Sequence, residues 1–401
     1  MRAGEAFDIL MGRQRSPARA NGPSMTPYLR AANVKDGHLD LSDVQQMDFD
    51  DKERSRFALR PGDVVVSEGS GSADAVGASA QWNGEIAGPV CIQNTLLRYR
   101  AREGVTIPGF VYQWCRWAYE SGAFREAANG TNILHIGATR AAEMEVSVPP
   151  LDVQQRIVHL MAHLDNHLAN LRAERVGAAQ LIRPMIEGLV GGVEDAPFTP
   201  MGVVGEFIRG RRFTKADYVS EGLACIHYAQ IHTHFGVIAE RSLTYVPAEM
   251  RSRLRLAQTG DVVIAATSED LAGLGKATVW LGDEEVAVHD DCYIFRHTLD
   301  PVFAAYLFSS SWFQEQKRIY AAGSKVTRIS GKDLAAVEVP IPPMADQVHI
   351  GLVLRALSAN VIAIEHEIDA LEGLRSELLA GLITGKLAIP STYDSLLARV
   401  A

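Results

Sequence analysis

Apolar residues recur at heptad spacing in two long stretches of the chain. In the first, Ile157, Leu164, Leu171, Ala178 and Met185 form one row, with Met161, Leu168, Ile182 and Leu189 alongside. In the second, Ile350, Leu357, Ile364, Leu371 and Leu378 form the matching row, with Leu354, Val361, Ile368 and Leu382 beside it. A 3.5-residue apolar repeat sustained over roughly 33 residues predicts a coiled-coil helix about 50 Å long in each case. The two seams are expected to pair with each other as an antiparallel coiled coil. Pro184 should kink or shorten the first helix, a penalty that its counterpart Glu377 does not carry.

The two stretches are copies. Pro149-Pro150 matches Pro342-Pro343, Gln154 matches Gln347 and Gly188-Leu189 matches Gly381-Leu382, all at an offset of 193 residues. The likeness extends upstream. Ile9–Arg13 aligns with Phe207–Arg211, Gly62–Val66 with Gly260–Ile264, and Thr95–Arg98 with Tyr293–Arg296, at an offset of 198. Five extra residues between Arg98 and Pro108 restore 193. The chain thus reads as a tandem duplication of one unit of about 195 residues.

Each unit opens with an Arg- and Gly-containing segment, then a β-branched run after a Gly-Asp turn, a Gly/Ser-rich loop and another strand. An amphipathic helix follows (Phe110 to Ala127; Val302 to Ala321), begun near a proline. A second loop and a short strand lead to the Pro-Pro step and the long helix. The expected fold class is α/β (mixed α+β) with an internal pseudo-twofold repeat. Its parts are a globule at 1–146, a helical region at 147–193, a second globule at 194–339, a second helical region at 340–389 and a tail at 390–401.

Length and composition (401 residues, 47% hydrophobic) allow two or three cores. No uninterrupted apolar run reaches the roughly 18 residues of a membrane span, and no signal-peptide pattern opens the chain. Cys91, Cys115, Cys225 and Cys292 lack metal-like or disulfide-like spacing, which fits a reducing cytoplasm. The net charge of −9 argues against a generally basic nucleic-acid binder. DNA affinity would have to come from local patches or from partners.

Enzyme motifs are missing. Gly275-Lys276 and Gly385-Lys386 lack the rest of a phosphate-binding P-loop, and no dinucleotide-type glycine turn joins a strand to a helix. Pro149-Pro150 is not set in the Asn/Asp-Pro-Pro-aromatic motif of an amino-methyltransferase. Gly69-Ser70-Gly71-Ser72 reads as a surface loop rather than a phosphate cradle. Glu315 and Lys317 imitate half of a nuclease site, but on an amphipathic helix they read as a solvated charge pair. His227, His232 and His234 could approach a metal, yet no fourth ligand or hydrolytic Glu accompanies them, and the counterpart Arg30–Val34 has no histidine. No metal and no cofactor is therefore expected.

A polar rim that bonds base edges or phosphates fits Gln230, His232 and His234 better, with Asn33 as the first unit's counterpart. Arg13, Arg15 and Arg19 open the first unit; Arg209, Arg211, Arg212 and Lys215 open the second. Guanidinium groups clamp phosphates and read guanine edges. Near the far end of each unit, Asn132 and His135 correspond to Lys325 and Arg328. A solubilising surface would explain any one of these residues, but their recurrence in both copies favours DNA contact.

These features resemble the specificity subunit of a type I restriction-modification system. That family pairs two target-recognition domains with two helical regions, each entered by Pro-Pro-Leu-x-Glu-Gln-x-x-Ile. Here the motif reads Pro149-Pro150-Leu151-Asp152-Val153-Gln154-Gln155-Arg156-Ile157 and Pro342-Pro343-Met344-Ala345-Asp346-Gln347-Val348-His349-Ile350. The Glu position is Val153 in one copy and Asp346 in the other. The Gly-Asp turns and the loops Gly130 to Ile136 and Gly323 to Ile329 are also similar to the family's. The resemblance covers nearly the whole chain and implies a non-catalytic subunit that binds double-stranded DNA. Each domain would read half of a bipartite target, with the helices as spacer. It further implies two methyltransferase subunits and translocase-nuclease subunits as partners, which would carry S-adenosylmethionine, ATP and Mg. The alternatives are a specificity module of a methylation-only or other phage-defence complex, and a coiled-coil scaffold with no DNA role.

Overall fold

The computed structural model describes residues 1–70, 75–130, 134–321 and 327–394. It divides into two compact units, residues 1–171 with 367–401, and residues 172–366. Each unit holds one β-rich globule and half of each long helix, the helices running Leu151–Gly191 and Met344–Ile383.

In the first unit, Phe7–Met11 pairs antiparallel with Leu96–Ala101, which also pairs with Val64–Ser67, itself edged by Ser79–Gln81. In the second, Gly205–Arg209 pairs with Cys292–His297, then Val262–Ala265, then Ala277–Trp280, with Ile238–Ala239 added parallel at the edge. The register corrects one sequence alignment. Ile9 faces Tyr99 and Phe207 faces Phe295, so Tyr99 and not Leu97 is the counterpart of Phe295. A two-residue shift keeps the same face of a strand inward, so the alternation of apolar and polar residues cannot detect it.

The corrected register explains the Gly-Asp turns. Gly62 and Gly260 both adopt φ +94°, a left-handed conformation that glycine reaches without steric cost. Asp63 then accepts from the Arg60 amide at 2.7 Å and holds Arg100 at 2.6 and 2.7 Å. Asp261 accepts from the Gln258 amide at 2.8 Å and holds Arg296 at 2.7 Å. Each arginine also donates to a backbone carbonyl, Ala58 or Leu256, locking the sheet to the chain before the turn.

The amphipathic helix of each unit is broken. In the first unit it runs Pro108–Glu120 and resumes at Ala123–Ala127 after Gly122, whose φ of +81° cannot continue a helix. In the second unit it runs Pro301–Leu307 and Ser311–Tyr320, the new segment being capped by the Ser310 side chain. Pro184, by contrast, does not end the first long helix, which continues to Gly191. Pro184 and Gln180 are exposed, so water can serve the carbonyl that the missing proline N–H leaves free.

In the first unit, Ile157 and Met161 share a core with Leu379, Leu382 and Ile383, while His167 lies 3.8 Å from Glu367. In the second, Ile186 and Val190 share a core with Ile350 and Leu354, while Arg175 pairs with Glu365 at 3.0 Å. Both sets run antiparallel. Of the predicted seam, Ile157, Leu171, Ile350 and Ile364 are buried, and Leu164, Leu357 and Leu371 partly so. One seam position of the second helix holds Arg375, 8% exposed, between Asp165 at 2.5 Å and Glu120 at 3.2 Å. By length and composition this helix could cross a membrane (mean hydropathy 1.5), unlike the sequence expectation. Here Ile350, Leu354, Leu379, Leu382 and Ile383 are instead taken up in the two unit cores.

The recurring glutamine pins each long helix to its globule. Gln154 accepts from the Ile107 amide at 3.0 Å and donates to the Val105 and Pro149 carbonyls, both at 2.8 Å. Gln347 accepts from the Asp300 amide at 2.9 Å and donates to the Pro342 carbonyl at 2.8 Å. The motif therefore joins the helix start, the Pro-Pro step and the segment just before the unit's amphipathic helix.

Candidate nucleic-acid interface

The first strand of each unit ends in Gly-Arg, and the backbone treats both copies alike. The Gly12 and Gly210 amides donate to the Leu96 and Cys292 carbonyls; the Arg13 and Arg211 amides donate to Ile92 and Val288. A Cβ on either glycine would collide with neighbouring carbonyl oxygens, of Ile92 and Gln93 or of Val288 and His289. Only glycine lets the chain pass so close and turn the following arginine outward.

In the second unit, Arg211, Arg212 and Lys215 emerge exposed. Phe213 between them is buried against the His289 ring, with centroids 4.8 Å apart. His289 binds the Phe213 carbonyl through Nε2 at 2.8 Å and Asp291 through Nδ1 at 2.8 Å. Burial pushes the His289 pKa down, but Asp291, the Phe213 carbonyl and Asp290 together outweigh this and raise it. The segment is thus anchored beneath while its guanidinium groups stay in solvent. Arg211, Arg212 and Arg255 line a cleft of about 460 Å³ with Arg209 and Asp290. Arg209 and Asp290 also border an adjoining cleft of about 270 Å³, which holds Tyr293, Tyr320 and Arg328. Among the described residues, Arg211, Arg212, Lys215 and Arg255 have no acidic side-chain partner. A cleft of uncompensated guanidinium groups with tyrosines beside it suits a phosphate backbone and base edges.

The first unit differs in charge. Arg13 pairs with Glu53 at 2.7 Å, and Arg19 pairs with the same carboxylate. Burial raises the Glu53 pKa, but the hydrogen bond from Arg13 and the bond to Asp50 outweigh it, so the net shift is downward. Arg15 is exposed. His135 stands 3.0 Å from Glu68 on the strand Leu134–His135, which pairs with Gly69–Ser70. Arg328 holds the matching place, on Thr327–Arg328 paired with Thr267–Ser268.

Two expected contact residues are spent inside the fold. Asn33 (2% exposed) accepts from the Arg30 amide and donates to the Asp40 and Asp43 carbonyls. Gln230 (4% exposed) accepts from the His227 amide and donates to Thr244. Each occupies the third position of a short helical turn after a parallel strand, where its side chain caps that turn. His232 is half-buried and burial lowers its pKa; His234 is exposed and bonds Thr233. Asn132, Lys325 and part of the Gly69–Ser72 loop lie outside the described residues. Lys317 is not a solvated partner of Glu315: it is buried, whereas Glu315 is exposed. Sequence reasoning did not single out Glu53, Arg255 or His289, because each acts through tertiary placement alone.

Residues 240–372 match the family described as type I restriction modification DNA specificity domain. The chain is 20% identical over 392 residues to a putative type I restriction enzyme MjaX specificity subunit of Methanocaldococcus jannaschii, covering 90% of this chain and 87% of that one. It is 24% identical over 198 residues to the type I restriction enzyme EcoKI specificity subunit of Escherichia coli K12, covering 47% and 42%. The fold is similar to a chain from a structure of type I restriction-modification complex assembly and conformational transition (TM-score 0.63, 19% identity, 96% and 97% covered). It is also similar to the S subunit of a type I restriction-modification system from M. genitalium (TM-score 0.52, 14% identity, 96% and 95% covered). The duplicated Pro-Pro…Gln helices, the specificity domain matched over residues 240–372 and a likeness that runs along nearly the whole chain make this chain similar to the DNA specificity subunits of type I restriction-modification systems.

Proposed function

We propose that each unit reads one half of a bipartite double-stranded DNA target, and that the paired long helices set the spacer between the halves. The observation that carries this is the repeated Gly-Arg exit, Gly12-Arg13 and Gly210-Arg211, built on the same backbone bonds in both units. The same backbone exit in both units of one chain suits a target with two separate halves. The outer faces of the long helices dock two methyltransferase subunits, and translocase-nuclease subunits join that assembly. S-adenosylmethionine, ATP and Mg belong to those partners, and this chain binds no cofactor. Partners also supply much of the phosphate neutralisation that a chain of net charge −9 does not provide by itself.

The test is Arg211→Ala with Arg212→Ala in the assembled methyltransferase complex, with target affinity measured across salt concentrations. For every phosphate that the variant no longer neutralises, the slope of log K against log salt should fall by about 0.9, and binding should weaken to all sequences alike. Unchanged affinity and slope would remove these residues from the interface.

A further inference from the structure

The second unit buries a cation that the surface described above does not use. Lys317 is 1% exposed, and its Nζ donates to the Leu274 carbonyl at 2.7 Å. Burial, with Arg183 and Arg318 nearby, lowers its pKa to about 8. At the repeat offset the first unit has Phe124, packed against Tyr99 and Trp114. The setting is shared: Gly77 and Gly275 donate to the equivalent carbonyls of Ser67 and Ala265, and lie against Phe124 and against Lys317 with Phe313. The same place in the fold therefore accepts a phenylalanine, while an ammonium there carries a desolvation penalty.

What Lys317 holds is one leg of the loop from Ser268 to Lys276. Asp270 Oδ1 accepts from the Gly273 amide at 2.6 Å, and the Gly275 amide donates to Ala265 at 2.9 Å. The His232 ring and Ser268 Oγ close on Gly273 so tightly that no side chain fits there. Between these ties, Glu269 to Ala272 are exposed. The loop starts from Thr267–Ser268, the strand paired with Thr327–Arg328, so it leaves beside the cleft that holds Arg209, Tyr293 and Arg328. Among the described residues Glu269 has no ion-pair partner.

Building on the reading of this unit as a DNA-recognition domain, we propose that the 268–276 loop is a base-reading element. Its tip offers the Glu269 carboxylate to an exocyclic amino group in the major groove, and Lys317 is the positioning residue that fixes the loop from beneath. Carboxylates accept from cytosine N4 in this way. A clamped loop with a free acidic tip beside a basic cleft separates the two tasks: arginines bind the backbone, and the tip discriminates bases.

The test uses the full chain assembled with its methyltransferase subunits and a random-duplex library, from which bound sequences are selected and read. A wild-type complex that selects no split motif would defeat the DNA reading itself, and the loop proposal with it. Given a wild-type motif, Glu269→Gln should lose about tenfold discrimination at one base position of one half, with the salt slope unchanged. Lys317→Met should blur the same half, leave the other half intact and raise the melting temperature, the reverse of what a purely structural lysine would do. If Lys317→Met fails to fold, Glu269→Gln decides alone. Variants that select the wild-type motif in both halves would overturn the proposal.

Discussion

Replacing Gln154 by methionine keeps the side-chain volume and removes three hydrogen bonds at a position with no solvent exposure. The Ile107 amide loses its acceptor, and the Val105 and Pro149 carbonyls lose their donor. At about 1 kcal/mol for each such bond, the cost is roughly 3 kcal/mol. Against a total stability on the order of 5–15 kcal/mol, that is a large fraction. Gln347→Met removes two side-chain bonds, to Asp300 and Pro342, so its cost should be nearer to about 2 kcal/mol. Guanidinium unfolding gives the magnitudes, and amide hydrogen exchange locates them. Exchange should speed up at Ile107 in the first variant and at Asp300 in the second. A Gln154→Met chain within about 0.5 kcal/mol of wild type, with Ile107 still protected, would refute the reasoning, since this is below the smallest sum that three buried bonds allow.

Two further outcomes follow from the charged groups inside the fold. Arg375→Ala should cost about 1–2 kcal/mol, because it removes a buried cation from the partly exposed Asp165 while Glu120 keeps Arg116, and a cycle with Asp165→Ala should show coupling above about 0.5 kcal/mol; additive effects would contradict this. Lys317 has a folded-state pKa near 8 against an ordinary 10.5, so the unfolded chain binds more protons between these values. Its contribution to stability is therefore complete above about pH 10.5 and is lost as pH falls through about 8; the rise of stability with pH across that window should be smaller in Lys317→Met.

The duplication, the Gly-Asp turns and the Pro-Pro…Gln helices were legible in the sequence because each rests on residue type at fixed spacing. Gly12 and Gly210 align in the sequence, and both prove indispensable where strand backbone presses on them. The strand holding Arg100 and Arg296 was misaligned by two residues, since only hydrogen-bond register distinguishes positions on one strand face. Asn33 and Gln230 looked like contact residues by chemistry, but in the fold they cap their own turns. Lys317 looked solvated because its helix is amphipathic, yet it faces inward at a position where the other copy holds phenylalanine. The compensation of Arg13 and Arg19 by Glu53 links residues 40 and 34 positions apart, beyond any local pattern.

If the proposed function holds, each unit reads its own half of the target independently of the other. The most direct measurement exchanges residues 1–146 for the matching domain of a homologue, keeps 147–401, and maps methylated adenines in a host expressing the assembled complex. On the proposed function base contacts would lie within a domain, and the exchange leaves untouched the helix pairing that would set the spacer. The expected result is a hybrid motif with a new first half, the original second half and the original spacer. A correctly assembled hybrid that changed both halves would contradict it.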